Sequence, residues 1–120
     1  HKNTHIISNT LNWDEKGYAK SFNKTIVHSL NKDETTTKQL PIHKELKKRK
    51  NIILIGDKIE DSQMAKGAKP ETIIKIGFLN HDLKELRQYK KTFDVIITKD
   101  SDFKYVNQIM KKILNSVKTS

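Results

Sequence analysis

At 120 residues the chain is one domain's worth of protein or part of a larger domain. The absence of cysteine excludes disulfides and thiolate-built zinc sites, and no apolar run approaches the length of a membrane-spanning helix. The formal charge of +10 is dispersed, with 11 Lys/Arg against 5 Asp/Glu in residues 1–50 and 13 against 9 in residues 51–120, so no basic tail marks a nucleic-acid arm.

Taken in chain order, His5-Ile-Ile-Ser8 reads as a short strand. Leu11/Trp13 and Tyr18/Phe22 flank the turn Asp14-Glu-Lys-Gly17, which predicts a β-hairpin with glycine in its turn. Thr25–Leu30 leads through Asn31-Lys32-Asp33-Glu34 into a polar segment, and helix is expected over Ile42–Lys48, with Pro41 tolerated in a first turn. Lys47-Lys48-Arg49-Lys50 is the densest basic cluster, and it sits where a solvated turn should precede a strand.

From residue 50 onward strand and helix alternate. Asn51–Gly56 carries four consecutive aliphatics, the pattern of a strand covered on both faces. A short helix over Lys58–Lys66 should close at Gly67. Thr72–Phe78 is a second strand, Asp82–Tyr89 a helix with Asp82 at its start, and Asp94–Thr98 a third strand. A final amphipathic helix spans about Phe103–Val117, with Val106, Ile109, Met110, Ile113, Leu114 and Val117 at spacings of three and four. Threefold alternation predicts βαβ units building a parallel sheet.

The chemistry-bearing motif is Ile53-Leu-Ile-Gly-Asp57 followed by Asp61. In open α/β sheets ligands bind beyond the carboxyl ends of the strands, where Asp57 falls. Asp61 comes one helical turn later, so both carboxylates can face one crevice and suit a hard cation such as Mg²⁺. The plainer alternative makes Asp57 a helix cap and Asp61 a solvated acid at the helix's positive end.

With these segments in place the chain resembles the carboxy-terminal portion of the cytosolic pyrimidine 5′-nucleotidases (type III), members of the haloacid dehalogenase (HAD) superfamily of phosphatases. The resemblance is carried by Ile6-Ile-Ser-Asn9, Trp13-Asp-Glu-Lys-Gly17, Asn31-Lys32, Ile53-Leu-Ile-Gly-Asp57 with Asp61, Met64-Ala-Lys-Gly67 and Ile74-Lys-Ile-Gly-Phe-Leu-Asn80, in that order. It implies a partial HAD-like, Rossmann-type three-layer α/β sandwich over residues 1–120, with a mostly parallel sheet and a β-hairpin near the N-terminus. It also implies Mg²⁺-dependent hydrolysis of pyrimidine nucleoside 5′-monophosphates through an aspartyl-phosphate. By the same resemblance Lys32 is the phosphate-binding, catalytic lysine, Asp57 a metal acid, and Asp61 a second acid that supports the metal or orients the lysine.

Two departures stand out. Lys58-Ile59-Glu60 occupies positions where the family usually has small or polar residues and a glycine, and Lys58 would compete with Mg²⁺ for Asp57. The family's Asp-x-Asp nucleophile pair has no counterpart before Asp57, since Asp14-Glu15 and Asp33-Glu34 have the wrong spacing. The hydroxyl-bearing second motif and the helical cap are likewise not found. The chain begins with His1 and not Met, and is expected to be a processed or truncated piece whose partner is the N-terminal half of the same protein. Alone, it is expected to be catalytically incompetent and adhesive. Absent cysteines and the lack of a signal-peptide pattern point to the cytoplasm, with no membrane association. Two other readings remain: a non-catalytic HAD-like interaction module, and a basic nucleic-acid-binding α/β domain for which only the charge speaks.

Overall fold

The computed structural model describes residues 4–22, 43–66, 69–80, 82–99 and 102–118. Lys32 and the segment Thr25–Gln39 lie outside the described residues, as do Pro41, Ile42 and Gly67. The described chain is α/β. It comprises a two-stranded antiparallel hairpin and a three-stranded parallel sheet in the order β3-β4-β5.

The hairpin pairs β1 (Leu11–Trp13) with β2 (Ala19–Phe22). Its turn forms where the sequence placed it. The Asp14 carboxylate accepts the backbone N–H groups of Lys16 and Tyr18, both at 2.9 Å, and Gly17 takes φ +81°. That left-handed conformation costs glycine nothing. Residues 5–8 form no strand: positions 4–10 are irregular and exposed, and Ile6 is 88% accessible. A strand needs a neighbour to take its backbone donors and acceptors, and no described strand runs beside this segment.

After the single-turn α1 (His43–Leu46) the chain enters β3 (Asn51–Gly56), which runs parallel to β4 (Thr72–Leu79) in the register Asn51↔Thr72 to Gly56↔Gly77. β5 (Val95–Thr98) pairs only with the far half of β4, from Ile76↔Val95 to Leu79↔Thr98. β3 therefore leaves the sheet two residues before β4 and β5 do, a step of about 6–7 Å at a strand's rise per residue. The start of β5 is fixed by Asp94, whose carboxylate accepts the Lys75 N–H at 2.8 Å and whose own N–H reaches the Lys75 carbonyl at 2.9 Å.

Alternation along the strands divides the apolar residues between two cores, one per face. On one face Leu54 and Leu79 pack with Tyr89 and Phe93, joined by Ile52, Ile59, Met64, Leu86 and Ile96. On the other Ile76, Phe78 and Ile97 pack with Val106, joined by Ile53, Ile55 and Ile109. Tyr89 belongs to α2 (Leu86–Thr92) and Val106 to α3 (Lys104–Lys118), so helices cover both faces and three layers result. This double cover explains why the strands read as unbroken aliphatic runs.

Two helical expectations are corrected in detail. The segment after β3 is not an α-helix over Lys58–Lys66 but a tight 3₁₀ turn, Ile59–Gln63, closed by Asp61 N–H to Lys58 carbonyl at 3.1 Å and Met64 N–H to Asp61 carbonyl at 3.0 Å. The segment after Asp82 begins as a 3₁₀ turn, Leu83–Glu85, and continues as α2 to Thr92, beyond Tyr89. Asp82 does start it, accepting the Lys84 N–H at 2.9 Å. Short 3₁₀ turns of this kind are common where a chain must change direction at the end of a strand.

Candidate functional site

The site is assembled at the carboxyl end of β3. Gly56 and Gly77 lie side by side across the β3–β4 ladder, and each makes room for a neighbour. A Cβ on Gly56 would stand 2.3 Å from the Asp61 Cβ and 2.9 Å from its Oδ2. A Cβ on Gly77 would stand 2.7 Å from the Phe93 ring. The paired glycines thus hollow the sheet surface where the loop after β3 folds back and the end of α2 settles.

Asp61 occupies the first hollow and is only 3% exposed. Its Oδ2 accepts the N–H groups of Asp57 and Lys58, each at 3.1 Å. A buried carboxylate is tolerated when such donors satisfy it. Asp61 is therefore neither a solvated acid nor a group aimed outward beside Asp57. It is turned under the loop and grips its backbone.

Tyr89 completes the grip from the other side. Its hydroxyl donates to the Asp57 carbonyl at 2.6 Å, across 32 residues of chain. The ring is 3% exposed and stacks obliquely on Phe93, with centroids 5.2 Å apart. Burial is the main reason the Tyr89 hydroxyl is pushed above the ordinary tyrosine value of 10.0, and the carboxylates of Glu85, Asp57, Asp61 and Glu60 add to it. The group remains a neutral donor through the physiological range. Sequence reading placed Tyr89 on a helix and gave it no role; the signal available was a tyrosine among aliphatic core positions, where a buried hydroxyl must find an acceptor.

Both amides and the carbonyl flanking Asp57 are thus committed to Asp61 and Tyr89. The Asp57 side chain itself is exposed, and among the described residues it makes no hydrogen bond or ion pair. An exposed carboxylate on a pinned loop suits a hard cation, which commonly takes one or two protein carboxylates and fills its shell with water and phosphate oxygens. No group of three or more His, Asp or Glu side chains that could hold a metal gathers among the described residues, so Asp57 fits as one ligand of such a site and not as a whole cage. Lys58, the next residue, is exposed, and the structure holds it to the loop by its backbone. The sequence-expected Lys32 lies outside the described residues.

Comparison with known proteins gives a consistent picture. A family model described as pyrimidine 5′-nucleotidase (UMPH-1) matches residues 1–114. The 7-methylguanosine phosphate-specific 5′-nucleotidase of Mus musculus is 36% identical over 116 residues, covering 95% of this chain and 39% of that protein. Its Homo sapiens counterpart is 34% identical over 116 residues, with the same 95% and 39% coverage. Among solved structures, that of cytosolic 5′-nucleotidase IIIB bound to cytidine superposes with a TM-score of 0.86 at 28% identity, covering 100% of this chain and 41% of that one. The chain spans about two fifths of the length of these relatives. No described helix is long and apolar enough to cross a membrane.

Proposed function

The chain belongs to the pyrimidine 5′-nucleotidase (UMPH-1) family, and from that membership we propose that it is the C-terminal part of a Mg²⁺-dependent, cytosolic 5′-nucleotidase acting on nucleoside 5′-monophosphates. The observation that carries the proposal is the exposed Asp57 carboxylate at the end of β3, on a loop whose backbone makes three hydrogen bonds to Asp61 and Tyr89. Asp57 would be the ligand this chain gives to Mg²⁺. When bound, the cation would neutralise the phosphoryl oxygens and orient the ester.

Asp61 and Tyr89 hold Asp57 in place, and Lys32 would bring a compact positive charge to the phosphate. The attacking carboxylate that forms the aspartyl-phosphate would come from an N-terminal half carrying an Asp-x-Asp pair, so the 120 residues alone are inactive under this reading. The relatives' names span 7-methylguanosine phosphate and a cytidine complex. Pyrimidine and 7-methylguanine monophosphates are accordingly the substrates to try first. A cytosolic setting is supported by the name of the structural neighbour.

The test is turnover of cytidine, uridine and 7-methylguanosine 5′-monophosphates by the protein carrying these residues together with an Asp-x-Asp half. Activity should require Mg²⁺, disappear in Asp57→Asn, and fall by roughly 10²–10³ in Lys32→Ala, the loss typical of one electrostatic stabiliser. Full activity in either variant would remove the assignment. Absence of Mg²⁺ affinity in the complete protein would favour the non-catalytic module, with Lys58 standing in for the cation beside Asp57.

A further inference from the structure

Aligning a metal acid requires more than the acid. Asp57 follows the last residue of β3, and β4 runs on for two residues past the end of the β3–β4 ladder, so among the described residues the loop leaves the sheet's hydrogen-bonded register at this point. Its amides are gripped by Asp61, a residue of the same loop, and a contact within one loop can move with that loop. Among the described residues only the Tyr89 hydroxyl ties the Asp57 carbonyl to a different element, at 2.6 Å, on the short side for a neutral hydroxyl–carbonyl pair. Tyr89 is anchored independently of the site: its ring lies in the core with Leu54, Leu79 and Phe93.

We propose that Tyr89 is a positioning residue for the cation site, its hydroxyl fixing the Asp57 peptide so that the exposed carboxylate keeps one aim. The proposal rests on the reading of Asp57 as a Mg²⁺ ligand and goes beyond it by naming what orients that ligand. The division of labour is specific. Asp61 sets the shape of the turn by accepting two amides, and the vacant space above Gly56 lets it do so. Tyr89 sets where the turn sits on the sheet, because it alone among the described residues reaches the Asp57 backbone from a helix. Partners that orient a metal ligand from outside the coordination shell typically change metal affinity by about 10–100-fold when removed.

Tyr89→Phe is the decisive variant, since it deletes one oxygen and leaves the ring on Phe93. Val106→Ala, in the core on the opposite face, serves as a control for general loss of stability. Two readouts are made on the complete protein: Mg²⁺ affinity by titration calorimetry, and hydrogen exchange of the Asp57 and Lys58 amides against the β4 amides of Ile76 and Phe78. Tyr89→Phe should weaken Mg²⁺ binding about 10–100-fold and speed exchange at Asp57 and Lys58 about tenfold, with Ile76 and Phe78 unchanged. Val106→Ala should leave Mg²⁺ affinity unaltered. If Asp57→Asn abolishes binding and Tyr89→Phe leaves it intact, the inference is overturned and the Mg²⁺ reading stands. If the parent protein binds no Mg²⁺, both are overturned together. A uniform rise in exchange across loop and sheet would show a structural tyrosine only, and would also overturn the inference.

Discussion

At the scale of single residues, the loop after β3 depends on an absence. Gly56 has no side chain, and Asp61 fills the room left over at distances no Cβ would allow. Gly56→Ala should therefore destabilise by about 1–3 kcal/mol, as overpacking does. Asp61→Gly removes the atom that the new methyl would strike, so Gly56→Ala should cost far less in that background. A double-mutant cycle on denaturant midpoints measures the coupling, and additive losses would mean that the two residues do not share this space. Tyr89 offers a second test through its proton. Its folded value is raised above 10.0, mainly by burial, so the stability tied to the neutral hydroxyl is complete below pH 10 and declines as pH rises through the folded value. The stability gap between the parent and Tyr89→Phe, about 1 kcal/mol near neutrality for one hydrogen bond, should shrink as pH rises above 10.0. Chemical denaturation of both proteins across that range checks it.

At the scale of elements, the parallel sheet was plain in the sequence because each strand is an unbroken aliphatic run. Asn51–Gly56 is observed with the limits read from its residues, and β4 and β5 differ by one residue at one end. The length of α3 was equally legible, since Val106, Ile109 and Ile113 recur at helical spacing, and Val106 and Ile109 pack on the sheet. What could not be read was the character of the turns. Apolar periodicity does not separate a 3₁₀ turn from an α-helix over five residues, and the choice at Ile59–Gln63 is made by the Asp61 carboxylate drawing two amides back. The place of Asp57 just past the end of β3 was legible; the inward turn of Asp61 and the reach of Tyr89 depend on contacts that spacing does not encode. Packing between α2 and the sheet has its own requirement at Gly77. Gly77→Ala would press a methyl against the Phe93 ring and should lower stability by about 1–3 kcal/mol in thermal or denaturant melts. Little change would mean that α2 can shift away from β4 at no cost.

At the scale of the whole molecule, apolar surface is distributed unevenly. The sheet interior is closed, yet Trp13 and Phe22 on the hairpin and Phe103, Leu114 and Val117 at α3 are each more than half exposed. Ile53 and Ile55 of β3, an outer strand of the described sheet, are only half-buried. Exposed apolar patches, and a strand edge that no described strand covers, both favour association. The isolated 120-residue chain should form larger species as its concentration rises, and adding an Asp-x-Asp half should suppress this. Sedimentation velocity over a concentration series measures both effects. A monomer at every concentration that melts cooperatively would show the surface to be tolerated in water.

The bond between Tyr89 and Asp57 also sets an order of events during synthesis. The 32 residues separating the two partners take about 2–6 s to translate at 5–20 residues per second. During that interval β3 and its acidic loop have left the peptidyl-transferase centre ahead of the tyrosine that holds them, and the nascent chain carries Asp57 on a loop with one of its supports still unmade. A ribosome pause placed before the codon for Tyr89 would prolong this state, and one placed after α2 has emerged would not.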